Sequence, residues 1–328
     1  MNKIRYGITG FGKFAEEKIL PAIRASHNSE LVSIQKRNKS DAEDKAEYYK
    51  IPYAFDSVEE LVKHSEVDAV FIVSPNNAHE QETILAAKAG KHVLTEKPMA
   101  MNSCECENMI NICKENNVKL MVAHMARFSP VNTRIKELVK SGIIGNINFV
   151  RSEFCYDLSN SKRTWATDMK IAGGGPTYDI GVHCLDTLRF ILNDEVISVK
   201  SQLNPTPTEE TTEMISLLAL KFSKGIPASI YTSFATPILS VSIELIGNAG
   251  IISAPNFSFS ELKVPIKIQK CKNGEIIETI IEEIDVPDIY EKEVTHFSNC
   301  ILNNTEPMIP GEEGLKNQIV LDESIKVI

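Results

Sequence analysis

The sequence predicts an α/β protein with two domains. The first is built on a mainly parallel sheet; the second is an α+β domain with a large, mostly antiparallel open sheet. Three observations carry this. Up to residue 124, short apolar runs alternate with helical stretches of about ten residues, the rhythm of βαβ units. From residue 195 to 285 the text is almost wholly strand-like, with connectors at Ser223-Lys224-Gly225 and Lys272-Asn273-Gly274 that suit hairpin turns. The chain has 328 residues, and at roughly 150 residues per domain that length suggests two. The expected division is 1–124 and 125–328.

The elements follow in order. Residues 3–9 read as a short strand ending in glycines, and 14–26 as a helix with apolar positions at Phe14, Ile19 and Ala22. A strand over 31–35 precedes helices from Ala42 to Tyr49 and from Asp56 to Lys63. Residues 68–74 form an apolar strand of the kind expected when both sheet faces are covered. Asn77–Lys88 is helical and stops at Gly90, 92–96 is the next strand, and Ser103 is suited to cap a helix running to Asn116. Residues 118–124 close the series. Pro130 then opens a helix to Lys140, 147–154 is a strand, and a polar loop leads through Gly173-Gly174-Gly175 into a helix over Asp179–Leu192. Two helices, Glu291–Asn303 and Glu312–Ile328, follow the strand-rich stretch.

Composition narrows the function. Lys plus Arg total 35 against 44 Asp plus Glu, a net charge of -9, which argues against a nucleic-acid partner. Hydrophobic residues make up 43% and charged residues 24%, the mix of a globular chain able to bury a large core. The N-terminal apolar stretch is short and broken by Gly7, Gly10 and Gly12, so neither a signal peptide nor a membrane span is expected, and a cytoplasmic location is the default. The seven cysteines include no CxxC pair; Cys104, Cys106 and Cys113 match no common zinc spacing, and no metal is expected.

The chemistry begins at Gly10-Phe11-Gly12-Lys13-Phe14-Ala15, where Gly10-x-Gly12-x-x-Ala15 matches the dinucleotide fingerprint of a Rossmann domain. Gly10 permits the tight turn, Gly12 lets backbone approach a pyrophosphate, and Ala15 allows close helix-to-sheet packing. The motif follows a strand, opens a helix and heads a run of βαβ units, the context that gives it weight. At the end of the second strand, where an acid would bind the ribose of NAD, the chain has Gln35-Lys36-Arg37-Asn38. Two cations there favour the 2′-phosphate of NADP over NAD. Asp41, or a purely solvated role for Lys36 and Arg37, is the alternative.

Two segments stand at carboxyl ends of strands, where open α/β sheets place ligands: Ser74-Pro75-Asn76-Asn77-x-His79 and Thr95-Glu96-Lys97-Pro98. Much later, Asp179, His183 and Asp186 fall at i, i+4 and i+7, on one face of a helix. Histidine titrates near working pH and suits proton transfer to or from a hydroxyl. A lysine ammonium suits a developing alkoxide. His79, Asp186, Tyr178 and Trp165 each admit a plain structural reading beside a functional one, and Asp186 leans to structure.

With the His124–Pro130 segment and the glycine-rich lead into Asp179, these motifs resemble the glucose–fructose oxidoreductase / inositol dehydrogenase / rhizopine-catabolism (MocA-like) family over nearly the whole chain. The resemblance implies an NAD(P)-dependent oxidoreductase acting on a sugar, polyol or related hydroxy or keto compound. It also implies a homodimer or homotetramer formed through the C-terminal sheet. It makes Lys97, His183 and Asp179 catalytic, all three also touching substrate, with Asp179 positioning a substrate hydroxyl. Ser74, Pro75, Asn76, His79, Glu96 and Lys97 then join Gly10–Phe14, Lys36 and Arg37 on the cofactor side. Lys162-Arg163-Thr164-Trp165 through Asp168 resembles a substrate loop, with Arg163, Trp165 and Tyr178 as substrate contacts. Many relatives carry Arg directly after that Trp; this chain has Ala166, and Arg163 is the candidate replacement. The alternatives to a dehydrogenase are a non-catalytic nucleotide sensor and a redox-neutral enzyme with tightly held NAD.

Overall fold

A computed structural model describes residues 3–159, 161 and 163–326. The chain forms two compact units. One comprises residues up to His124 together with Tyr290–Gln318; the other comprises Met125–Ile289 together with residues from Ile319 onward.

Among the described residues the first unit contains six strands: β1 (Ile4–Thr9), β2 (Ser29–Gln35), β3 (Tyr53–Phe55), β4 (Ala69–Ile72), β5 (His92–Thr95) and β6 (Leu120–Val122). Their order is β3-β2-β1-β4-β5-β6, and every pairing is parallel. All four residues of β4 are buried, as its apolar sequence requires. A π-helical turn (Ala15–Ile19) runs into α1 (Leu20–Ala25), followed by α2 (Lys39–Tyr49), α3 (Val58–Lys63), α4 (His79–Lys88) and α5 (Ser103–Glu115). The helix expected over 14–26 therefore opens in π geometry. α2 begins earlier than its apolar pattern suggests, because the Asn38 side chain accepts from the Asp41 N–H and caps it. Asn102, not Ser103, caps α5 by accepting from the Glu105 N–H.

The expected boundary at 124/125 is one crossing of the chain between units, but the C-terminal stretch departs from expectation. Residues 290–318 were expected in the second domain, yet they pack with the first. Most of α9 (Ile289–Leu302) and the start of α10 (Gly311–Ile325) are involved. Tyr6 Oη and Ser298 Oγ lie 2.8 Å apart, Asn28 Nδ2 donates to Asn299 Oδ1 at 2.8 Å, and Val122 N–H donates to the Ile309 carbonyl at 3.0 Å. Local periodicity identifies these helices but not the sheet they cover.

The second unit holds α6 (Pro130–Lys140), β7 (Ile147–Asp157), α7 (Met169–Ala172), a second π-turn (Thr177–Gly181) and α8 (Val182–Leu192). Seven further strands follow: β8 (Val196–Asn204), β9 (Ile215–Phe222), β10 (Pro227–Ser233), β11 (Ala235–Gly247), β12 (Gly250–Pro255), β13 (Leu262–Lys272) and β14 (Glu275–Val286). They form an eight-stranded sheet in the order β14-β13-β12-β11-β7-β10-β9-β8. All its pairings are antiparallel except β7 with β10. The second π-turn and α8 pack on β7, and the turn also meets β10. β9 alternates buried and exposed positions, so one face of the sheet carries core and the other is open. Beneath α8, Arg127 grips Asp186 through Nε at 2.9 Å and Nη2 at 2.7 Å. Both side chains are almost wholly buried, and their pairing compensates the loss of solvation. Asp186 is thus a structural partner of Arg127.

Candidate active site

The cofactor side is built by register. Thr9 pairs with Ile72 and Ile72 with Thr95, so β1, β4 and β5 end at one edge of the sheet. Strand order reverses between β1 and β4, and such switch points open a crevice. Gly10 sits there at φ +64°, and a Cβ on it would lie 2.5 Å from Ser74 Cα. No other residue type fits that approach. A Cβ on Gly12 would meet only the Gly10 carbonyl, at 3.8 Å, so the space beside it is open. A turn closed behind and open in front fits a dinucleotide pyrophosphate. Ala15 is fully buried, which brings the following helix close to the sheet.

Gln35, the last residue of β2, braces this turn. Its Oε1 accepts from Gly10 N–H at 3.2 Å and its Nε2 donates to the Asp56 carbonyl at 3.1 Å. Lys36 Nζ donates to the Phe11 carbonyl at 3.1 Å, which keeps the ammonium beside the glycine turn, while Arg37 is exposed. The Phe11 ring is 1% exposed and stands edge-on to Tyr49, so only its backbone is available to a ligand. Lys13 is exposed and faces Glu17 at 3.6 Å; the Phe14 ring contacts Tyr290.

Behind Ser74 lies a buried polar cluster with no motif in the sequence. Glu82 Oε2 accepts from Thr9 Oγ1 at 2.5 Å and from Ser74 Oγ at 3.0 Å. Burial pushes the Glu82 carboxyl above the usual carboxylate range, with the two hydroxyls opposing. His79 is fully buried; its Nε2 faces the Ser74 carbonyl at 2.9 Å and its Nδ1 faces the Pro98 carbonyl at 3.0 Å. The imidazole therefore straps the turn after β4 to the turn after β5. Burial lowers its pKa, against the pull of those carbonyls. Pro75 is half-buried and Asn76 buried, at the entrance to α4. In the second turn the Lys97 N–H donates to Glu96 Oε2 at 3.2 Å, and Lys97 itself is half-buried.

The second unit supplies another cluster. A Cβ on Gly175 would lie 2.0 Å from the Glu213 carbonyl oxygen, so glycine is required. The fully buried Glu213 side chain accepts from Gly175 N–H and Thr177 N–H, both at 3.0 Å, and fixes the start of the π-turn. Asp179 lies within this turn rather than in the α-helix expected from its spacing, and π-turns recur at functional sites. Its carboxylate accepts from Arg163 and from the Tyr156 hydroxyl. His183, on the first turn of α8, is 5% exposed with its ring 5.9 Å from that of Phe154. The Arg163 guanidinium lies over the half-buried Trp165 ring at 5.8 Å, and Ala166 is buried. Lys162 lies outside the described residues.

Tyr178, expected as a substrate contact, is a core residue. It is 1% exposed, and its hydroxyl donates to Asp322 at 3.1 Å. Sequence reading also missed Gln35, Glu82, Glu213 and Tyr156. Only Gln35 carried a signal, as the residue standing where an acid was sought. Among the described residues no group of three or more His, Cys, Asp or Glu side chains is placed to hold a metal ion, and no helix is long and apolar enough to cross a membrane.

Comparison with known proteins accords with this geometry. Residues 4–124 match the model of the oxidoreductase family with an NAD-binding Rossmann fold, and residues 132–253 match the GFO/IDH/MocA C-terminal domain. The chain belongs to this Gfo/Idh/MocA family. It is an oxidoreductase, and its cofactor is NAD(P). It is 29% identical to 1,5-anhydro-D-fructose reductase of Ensifer adhaerens, over 95% of this chain and 92% of that one. It is 28% identical to the NADP(+)-dependent D-xylose 1-dehydrogenase of Haloarcula marismortui, over 96% and 88% of the two chains. The crystal structure of aldose–aldose oxidoreductase from Caulobacter crescentus superposes with a TM-score of 0.87 at 27% identity, covering 98% of this chain and 96% of that one.

Glu82 yields a pH test. Because its pKa is raised on folding, the folded chain holds more protons than the unfolded chain between the two values, and stability falls as pH rises through that window. Glu82→Gln keeps an acceptor for both hydroxyls but lacks this dependence. In thermal melts, the Tm of E82Q relative to the parent should climb from pH 4 upward. A constant difference from pH 4 to 8 would mean that Glu82 keeps its proton equally well in both states.

Proposed function

We propose that the protein transfers hydride between NADP(H) and a carbon of a sugar, polyol or related hydroxy or keto compound. Lys97 polarises the reacting oxygen, His183 is the acid/base, and Asp179 positions a substrate hydroxyl. The observation that carries this is the pairing of an open glycine turn at Gly12 with Lys97 at the same sheet edge. The relatives named above, all called sugar or anhydrosugar oxidoreductases, support the substrate class.

When bound, the nicotinamide supplies the hydride chemistry; the residues govern binding and proton movement. Gly10 and Gly12 leave room for the pyrophosphate, and Lys36, tethered to Phe11, supports preference for a 2′-phosphate. In the oxidative direction His183 takes the proton from the substrate hydroxyl, and Lys97 stabilises the oxygen as charge develops. In reduction His183 returns that proton. The second unit binds substrate, and its open sheet face carries a homo-oligomer contact, with the register partners Leu217 and Tyr231 both exposed.

Lys97→Met and His183→Ala should each lower kcat by ~10²-fold or more in steady-state assays with keto-sugars, while NADPH binding suffers much less in H183A. Full kcat across pH in H183A would remove the histidine from this role. Replacing Lys36 and Arg37 with Gln should raise the Kd of NADPH far more than that of NADH; equal losses would end the 2′-phosphate assignment. For assembly, L217E/Y231E should sediment as a smaller species than the parent, and a monomeric parent would dismiss the sheet contact.

A further inference from the structure

Three polar side chains from separate elements of the second unit converge on one point. Asp179 Oδ2 accepts from Arg163 Nη2 at 2.6 Å and from Tyr156 Oη at 3.0 Å, and Asp179 Oδ1 accepts from Arg163 Nη1 at 3.2 Å. Arg163 Nη2 also donates to the Tyr156 oxygen at 2.5 Å. The forked guanidinium addresses both carboxylate oxygens, so rotation of the carboxylate would break a contact whichever way it turned. A phenol has one proton, and Tyr156 directs it to Asp179 while its lone pair receives Arg163. Its ring neighbours those of Phe154 and Phe234, with centroids at 6.5 Å and 5.3 Å.

We propose that Tyr156 and Arg163 are positioning residues that hold Asp179 ionised and fixed, and that the resulting neutral ion pair restricts this subsite to uncharged hydroxyl groups. The inference deepens the reading of Asp179 given above and rests on it. Burial, with the Asp179 charge, keeps Tyr156 protonated well above the usual tyrosine range, so it serves as a donor and not as a base. Arg163 is permanently charged, and Asp179 raises its proton affinity further. An acidic sugar would bring a second anion to a guanidinium already matched by one, and Asp179 would repel it. Arg163 thus acts as the counterion of Asp179 and not as a stand-in substrate contact for the arginine absent at Ala166. Because the same guanidinium lies over Trp165, the 163–168 segment and Asp179 are set by one contact.

The test uses the full-length protein. Tyr156→Phe should lower kcat about ten-fold, the order expected for losing one hydrogen bond to a charged group. In the reductive direction, where the proton on His183 governs the alkaline limb, it should also move the acid limb of the kcat/KM profile to higher pH, since a carboxylate stripped of a donor protonates more readily. NADPH affinity should stay as in the parent. Arg163→Gln should move that limb further than Y156F, and Arg163→Lys less than R163Q. Gluconate should inhibit Asp179→Asn more strongly than the parent, because the guanidinium is then unmatched. An acid limb unmoved in both Y156F and R163Q, or gluconate inhibition equal in D179N and parent, would overturn the proposal. Thermal melts judge the clamp without turnover. D179N should cost less stability in the R163Q background than in the parent, and strictly additive losses would refute the ion pair. A parent that reduces no sugar refutes the proposed function while leaving this cycle to decide the clamp.

Discussion

The cofactor side depends on how closely backbone passes backbone where β1 gives way to Gly10. No side chain fits between that residue and Ser74. From this approach the other contacts follow in sequence. Gln35 holds the Gly10 amide, Thr9 and Ser74 turn their hydroxyls onto Glu82, and His79 ties the Ser74 carbonyl to that of Pro98. The position of Lys97, one residue before Pro98, is thus inherited from a glycine almost ninety residues earlier. A network of this kind tolerates little error, because Thr9, Gln35, His79 and Glu82 are buried and the loss of one leaves another unsatisfied.

The second unit solves a different problem, that of presenting a charge at a fixed angle from an irregular turn. Glu213 binds two amides at the start of the π-turn, and the absence of a side chain on Gly175 lets its backbone come near enough. Asp179 is then offered to Arg163 and Tyr156. Two turns further along, Asp186 engages Arg127. The two carboxylates that share a face in the sequence pattern therefore have separate arginines and separate tasks.

Much of this was legible in the sequence. The apolar stretch at 68–74 contains a strand buried at every position, and Gly10-x-Gly12-x-x-Ala15 lies at the turn its spacing demands. The features that escaped did so for physical reasons. β3 is three residues long, too short for any period to register. α- and π-turns draw on the same residue types, so the geometry around Asp179 had no compositional mark. Asn102 and Ser103 are both good caps, and only the hydrogen bond chooses between them. Glu82, Glu213 and Tyr156 act through partners from 7 to 73 residues away, and Tyr178 is an aromatic whose place in core or pocket depends on such distant neighbours.

The return of residues 290–318 to the first unit bears on biosynthesis. Tyr6, Asn28 and Ser29 are synthesised before the second unit, but the helix carrying Ser298 and Asn299 leaves the ribosome only after it. The parallel sheet must wait with one of its coverings missing while the entire eight-stranded sheet is made and folded. A fragment ending at His124 would contain every strand of the first sheet but lack α9, whose Val294 and Phe297 are fully buried, making it a poor candidate for soluble expression.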